Sequence, residues 1–177
     1  MVTVMMVVLA VTVSDPAQTH VRASEPKIQA LIQKGLSESE TFRRLVATLD
    51  QSEVIVYVEP KLTRRSLGAY LAHNIVDRGG YRYLRIAIDI QGRDQHLVPL
   101  LAHELQHAVE LAQAPDARDP ESVEHTFQDL AKPFGCQGTT CYETQAAIDV
   151  QRQVSDERRA GTRTDDASAP RIGASRR

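Results

Sequence analysis

One stretch of the chain dictates more of its fold than any other. Between Gly92 and Pro115, Leu97, Leu100, Leu101, Leu105, Ala108 and Leu111 recur at the spacing of a single helix face. An apolar face that broad must be buried, so a helix from about Asp94 to Ala112 is expected to lie against a core. Pro99 falls near its start, where proline is tolerated, so the regular part is expected from about Val98. It ends before Pro115 in a loop of turn formers, APDARDP.

The flanking sequence supplies elements to pack on this helix. Pro26 suits the first helical position of PKIQALIQKG, with Ile28, Leu31 and Ile32 on one face and Gly35 as the expected stop. Ser37 and Glu40 have capping-box spacing ahead of a second helix, in which Phe42, Leu45, Val46 and Leu49 repeat up to Asp50. The β-branched run Val54 to Val58 reads as a strand ended by Glu59 and Pro60. Segments 67–76 and 81–90 flank Asp77, Arg78, Gly79 and Gly80, which predicts a hairpin. A shorter amphipathic helix, Glu121 to Ala131, and a last helix from about Tyr142 to Arg158 complete the pattern. The expectation is an α+β fold, a small antiparallel sheet packed against helices.

With 177 residues there is room for one ordinary domain, expected over 26–159. Segment 160–177 lacks apolar periodicity and reads as a disordered tail. Segment 1–25 is a candidate signal or leader: Val2 to Val13 is almost wholly apolar, although no Lys or Arg precedes Arg22. Export to the periplasm or outside the cell is the expectation, with a cytoplasmic location as the alternative and a buried strand as the structural reading of the same run. The run is too short for a membrane span, which needs about 20 residues. A formal charge of −2 leaves no electrostatic footprint for nucleic acid or an anionic membrane. The two cysteines, Cys136 and Cys141, form a disulfide candidate in an oxidising compartment and a pair of inert thiols otherwise.

Within the long helix, LAHELQHAVE places His103 and His107 at i and i+4, on one face a turn apart. Two imidazoles so spaced can reach one Zn²⁺ ion, and Glu104 beside them can hold a water at the open position and take its proton. A third ligand must come from elsewhere in the chain. Glu143 is the choice, because CYETQAAID sets an acid at a helix start followed by the small Ala146 and Ala147, which allow close packing on the first helix. Glu124 and His125 are the rivals, and Glu110, on the same helical face as His107, is expected to contact a partner around the site or solvent rather than the metal. The longer metzincin pattern is excluded, because it needs Gly and His where this chain has Glu110 and Gln113. Candidate oxyanion donors are Tyr142 and His125, which flank Glu143, followed by His96 and Tyr70.

An aliphatic strand, the helix LLAHELQHAVELAQAP and the later YETQAAIDVQRQV together resemble small exported bacterial zincin-like proteins. They are similar more generally to gluzincin metallopeptidases, whose two helices contribute HExxH and then a Glu. The resemblance covers most of 26–159 and implies a minimal zincin-like core, Zn²⁺ as cofactor, His103, His107 and Glu143 as ligands, Glu104 as base, and a peptide or protein substrate. The strand Arg85 to Ile90 would align that substrate. One departure is plain: gluzincins often carry an Asp four residues after the ligand Glu to orient a His, and Ala147 stands there, with Asp149 on another face. A non-catalytic zincin-fold binding or regulatory module is the alternative reading.

Overall fold

The face formed by Ile28, Leu31 and Ile32 is buried as expected, but its helix is longer than Gly35 suggests. In the computed structural model, which describes residues 19–61, 68–91, 93–131 and 143–168, with side chains as far as 161, the first helix, α1, spans Pro26–Glu38. Gly35 lies inside it for reasons of space: a Cβ there would come within 2.7 Å of the Phe42 ring on α2, Glu40–Asp50. Alanine would gain about 1 kcal/mol of helix propensity, but overpacking a filled contact costs about 1–3 kcal/mol, so glycine is the better residue.

The cap of α2 is also displaced from its expected place. Ser39, not Ser37, is the N-cap, and its Oγ accepts the Phe42 N–H at 3.0 Å. Glu157 reinforces this turn from the last helix, accepting from Ser39 Oγ at 2.5 Å, Thr41 N at 3.1 Å and Thr41 Oγ1 at 2.6 Å. Burial pushes the Glu157 carboxyl up, but these hydrogen bonds outweigh it and leave the group below its ordinary value.

Four strands follow the chain as β1 (Val21–Ala23), β2 (Val54–Pro60), β3 (Ala69–Arg78) and β4 (Tyr81–Ile88), in the spatial order β1-β2-β4-β3. The expected antiparallel sheet is therefore mixed: β1 with β2 and β2 with β4 are parallel, and β3 with β4 is antiparallel. The α1–α2 crossover carries the chain back before β2 starts, which makes β1 and β2 parallel. The hairpin then lays β4 beside β2 and leaves β3 outside. That hairpin was legible, since Gly79 and Gly80 both have positive φ (65° and 81°) and form a two-residue turn between the paired Arg78 and Tyr81. β1 lies within the stretch read as a leader, with Val21 buried and the His20 N–H donated to Asp50. The apolar run Val2 to Val13 lies outside the described residues.

Residues on one face of the sheet, among them Val54, Val56, Val58, Leu84, Ile86 and Ile88, join the helices in one core. The central helix α3 is continuous over Asp94–Ala112, with Pro99 inside it, and nearly every residue from Leu97 to Leu111 is buried. Its C-terminal end is held by Arg82 of β4, which is wholly buried. Arg82 donates to the carbonyls of Ala112, Ala114 and Ala117 at 3.3, 2.8 and 3.0 Å and pairs with Glu53 at 3.0 Å. Helix ends leave carbonyls without partners, and a guanidinium offers several donors at once.

Two more helices complete the domain, α4 (Pro120–Ala131) and α5 (Gln145–Ser168). The last therefore continues past Arg158 into the segment read as a disordered tail. No helix among the described residues is long and apolar enough to cross a membrane.

Candidate metal centre

α3 turns His103, Glu104 and His107 away from solvent, each only 6% exposed, towards a cleft beside β3. The cleft has a volume of about 500 Å³ and is lined by residues 69–74 of β3 together with His103, Glu104, His107 and Glu143. His103 Nε2 and His107 Nε2 stand 3.2 Å apart, and His103 Nε2 is 3.4 Å from Glu143 Oε2. In a tetrahedral zinc site with N and O donors at about 2.0–2.1 Å, neighbouring donor atoms are about 3.3–3.4 Å apart. Each of the two distances is close to that spacing. Among the described residues no group of three or more His, Cys, Asp or Glu side chains is arranged to hold a metal ion. Glu143 is 54% exposed, whereas His103 and His107 are buried.

The chemistry of the donors fits a cation. Burial, and then the neighbouring His107, holds the His103 imidazole below its usual pKa, which keeps it neutral and its lone pair available. His107 Nδ1 lies 2.8 Å from Glu110 Oε2. With the proton on Nδ1 donated to that carboxylate, Nε2 presents a lone pair to the cleft. The other Glu110 oxygen accepts from Thr144 Oγ1 at 2.6 Å, and Thr144 in turn accepts the Ala147 N–H at 3.1 Å, capping α5. One buried carboxylate thereby joins a histidine of α3 to the helix start that carries Glu143. The partner that Ala147 could not supply comes from Glu110, and Ala147, wholly buried, lets α5 approach α3. His103 Nδ1 is buried without a hydrogen-bond partner, and Gln151 of α5 is a polar side chain acting on that ring.

Glu104 meets the strand directly, its Oε2 accepting the Leu71 N–H at 2.8 Å. Burial raises its carboxyl to about 7 against the pull of His107 and the Leu71 amide. A carboxylate at that value can take and return a proton near neutrality.

The remaining candidates are dispersed. His125 is exposed on α4 and does not line the cleft; Glu124, also exposed there, is hydrogen-bonded by Gln128. His96 lies exposed near the start of α3 beside Gln95, in a different cavity. Tyr70 lies on the cleft rim, 40% exposed, with the Lys61 ammonium 5.9 Å from its ring. Asp149 bonds Gln145 and Arg152 on the surface. Tyr142, Cys136 and Cys141 lie outside the described residues. His73 of β3 lines the cleft and was missed by sequence reasoning; only its place two residues after Leu71 on a half-buried strand could have signalled it.

Compared with protein-family models, curated proteins and solved structures, the chain matches none. The functional reading therefore rests on its own residues.

Proposed function

We propose that the chain is a zinc-dependent hydrolase that cleaves peptide or other amide bonds, with His103, His107 and Glu143 holding the metal and Glu104 as general base. The observation that carries this reading is the approach of His103 Nε2 to His107 Nε2 at 3.2 Å and to Glu143 Oε2 at 3.4 Å, beside a buried carboxyl raised to about 7, in one cleft. When bound, zinc supplies Lewis acidity, bringing the pKa of water towards about 7 and polarising a carbonyl. The chain's own residues do the rest. Glu110 fixes the His107 tautomer, Glu104 takes a proton from the attacking water and returns it to the leaving nitrogen, and the cleft walls limit bulk water.

The strand that would align a substrate differs from the one expected. β4 is paired on both sides and has no edge to offer, whereas β3 is the outer strand and lines the cleft. An extended peptide adding to β3 would lie across the histidines.

Glu110→Ala separates orientation from ligation. It leaves all three proposed ligands in place but removes the acceptor for His107 Nδ1, and is expected to weaken zinc binding about 10–100-fold in competition with a chromophoric chelator. Unchanged affinity would remove Glu110 from the account.

The reading is tested by incubating zinc-loaded protein with a peptide library and identifying cut bonds by mass spectrometry, with Glu104→Gln as control. Cleavage abolished by a chelator, restored by zinc and lost in the variant is the expected result. One bound zinc per chain with no cleavage would favour the binding-module reading instead.

A further inference from the structure

We propose that His73 is a further catalytic residue of this centre, donating a hydrogen bond from its imidazole to the oxygen that gains negative charge as the scissile carbonyl is attacked. The inference rests on the hydrolase reading above and adds an oxyanion donor from among the described residues, outside which Tyr142 lies.

The first observation is an irregularity in the strand. Ala72 pairs with Arg85 and Val76 with Tyr83, so His73, Asn74 and Ile75 occupy a span where β4 has Leu84 alone. Bulges of this kind bend a strand and re-aim a side chain, and they concentrate beside active sites. This one lies on the cleft wall, and His73 is its first residue.

The second is how the ring is held. His73 stacks on Phe127 of α4 with centroids 5.6 Å apart and planes at 26°, and the same Phe127 meets His107 edge-on at 5.3 Å and 87°. Phe127 is only 1% exposed, so it is a rigid divider with a proposed metal ligand on one contact and His73 on the other. Preorganisation of this sort is what a transition-state donor requires, because a group that must reorient at the moment of reaction loses much of its effect.

The third is elimination among the cleft's side-chain donors. Apart from the four residues already assigned, its lining among the described residues holds Tyr70, His73 and Asn74 as polar side chains. Tyr70 and Asn74 are both exposed, Tyr70 on the rim beneath Lys61, whereas His73 is half-buried against Phe127. In this role the N–H stays on His73. The water oxygen forms the new bond to the carbonyl carbon, Glu104 carries the proton, the C–N bond breaks, and no other reactant is needed.

The experiment uses zinc-loaded wild type, His73→Phe and His73→Gln, with a peptide found in the library screen and its phosphinic analogue, whose tetrahedral phosphorus imitates the attacked carbon. Zinc per chain, KM, kcat and affinity for the analogue are measured. His73→Phe is expected to keep its zinc and its KM, to lose about 10²–10³-fold in kcat, and to bind the analogue more weakly in proportion. His73→Gln, which retains an N–H donor, should recover part of both. Loss of zinc in either variant would overturn the inference by making His73 a ligand, and so would unchanged kcat and analogue affinity in His73→Phe. A wild type that binds no zinc and cuts nothing overturns the hydrolase reading and this inference with it, whereas an active wild type matched by His73→Phe overturns this inference alone.

Discussion

Replacing Glu104 with Gln is expected to reduce turnover on the order of 10²–10⁴-fold while zinc content stays at the wild-type level. The variant is informative because it leaves the fold alone. A glutamine keeps the shape and the oxygen that accepts the Leu71 N–H, now made at 2.8 Å. Stability of the metal-free protein should not fall either: there burial raises the Glu104 carboxyl to about 7, so above that pH the native state holds a charge it would rather neutralise, and the amide removes it. The expected signature is a protein with unchanged or slightly higher thermal stability, unchanged metal and almost no activity. Activity within about threefold of wild type would be too small an effect for a general base and would exclude Glu104 from that role.

The second large effect concerns the fold. Arg82→Met should destabilise the protein by about 3–5 kcal/mol, because it leaves three carbonyls without their buried donor at about 1–3 kcal/mol each. Methionine matches the aliphatic part of the side chain but offers nothing to the carbonyls of Ala112, Ala114 and Ala117. Those carbonyls close the end of the helix that carries His103 and His107, so weaker zinc binding should accompany the loss. For a chain of this length such a change lowers Tm by roughly 6–20 °C, which calorimetry resolves easily. A shift of a degree or two would mean that water reaches this end of α3 and that the buried arginine is dispensable.

Much of this architecture is local and could be read from the chain. The 3.6-residue period of Leu97, Leu101, Leu105 and Ala108 places α3, and Gly79-Gly80 places the hairpin, because each is decided by residues near in sequence. The i, i+4 spacing of the two histidines fixes their shared face for the same reason.

What escaped depends on partners distant in sequence. Parallel pairing of β2 with β4 follows from how the hairpin docks, which no periodicity encodes. Gly35 imitates a helix stop, and its real cause is the Phe42 ring of a second helix. Arg82 looks like any exposed strand arginine until α3 ends above it. At the site, Ala147 stands where a gluzincin-like orienting carboxylate would be, whereas Glu110 contacts His107 directly from α3 itself and is held on its other oxygen by Thr144. The sequence places Glu110 three residues after His107, but only the docking of α5 makes its second oxygen useful. His73 shares the face of Leu71 by alternation, but only the docking of α3 and α4 against β3 makes that face a cleft wall.

The most direct test of the central claim is metal content, measured by elemental mass spectrometry on purified wild-type protein beside Glu143→Gln and Glu124→Gln. The account predicts one zinc per chain in the wild type and in Glu124→Gln, with stoichiometric zinc lost in Glu143→Gln alone. A wild type that holds no zinc even after reloading, or a Glu143→Gln variant that keeps it, would contradict the account.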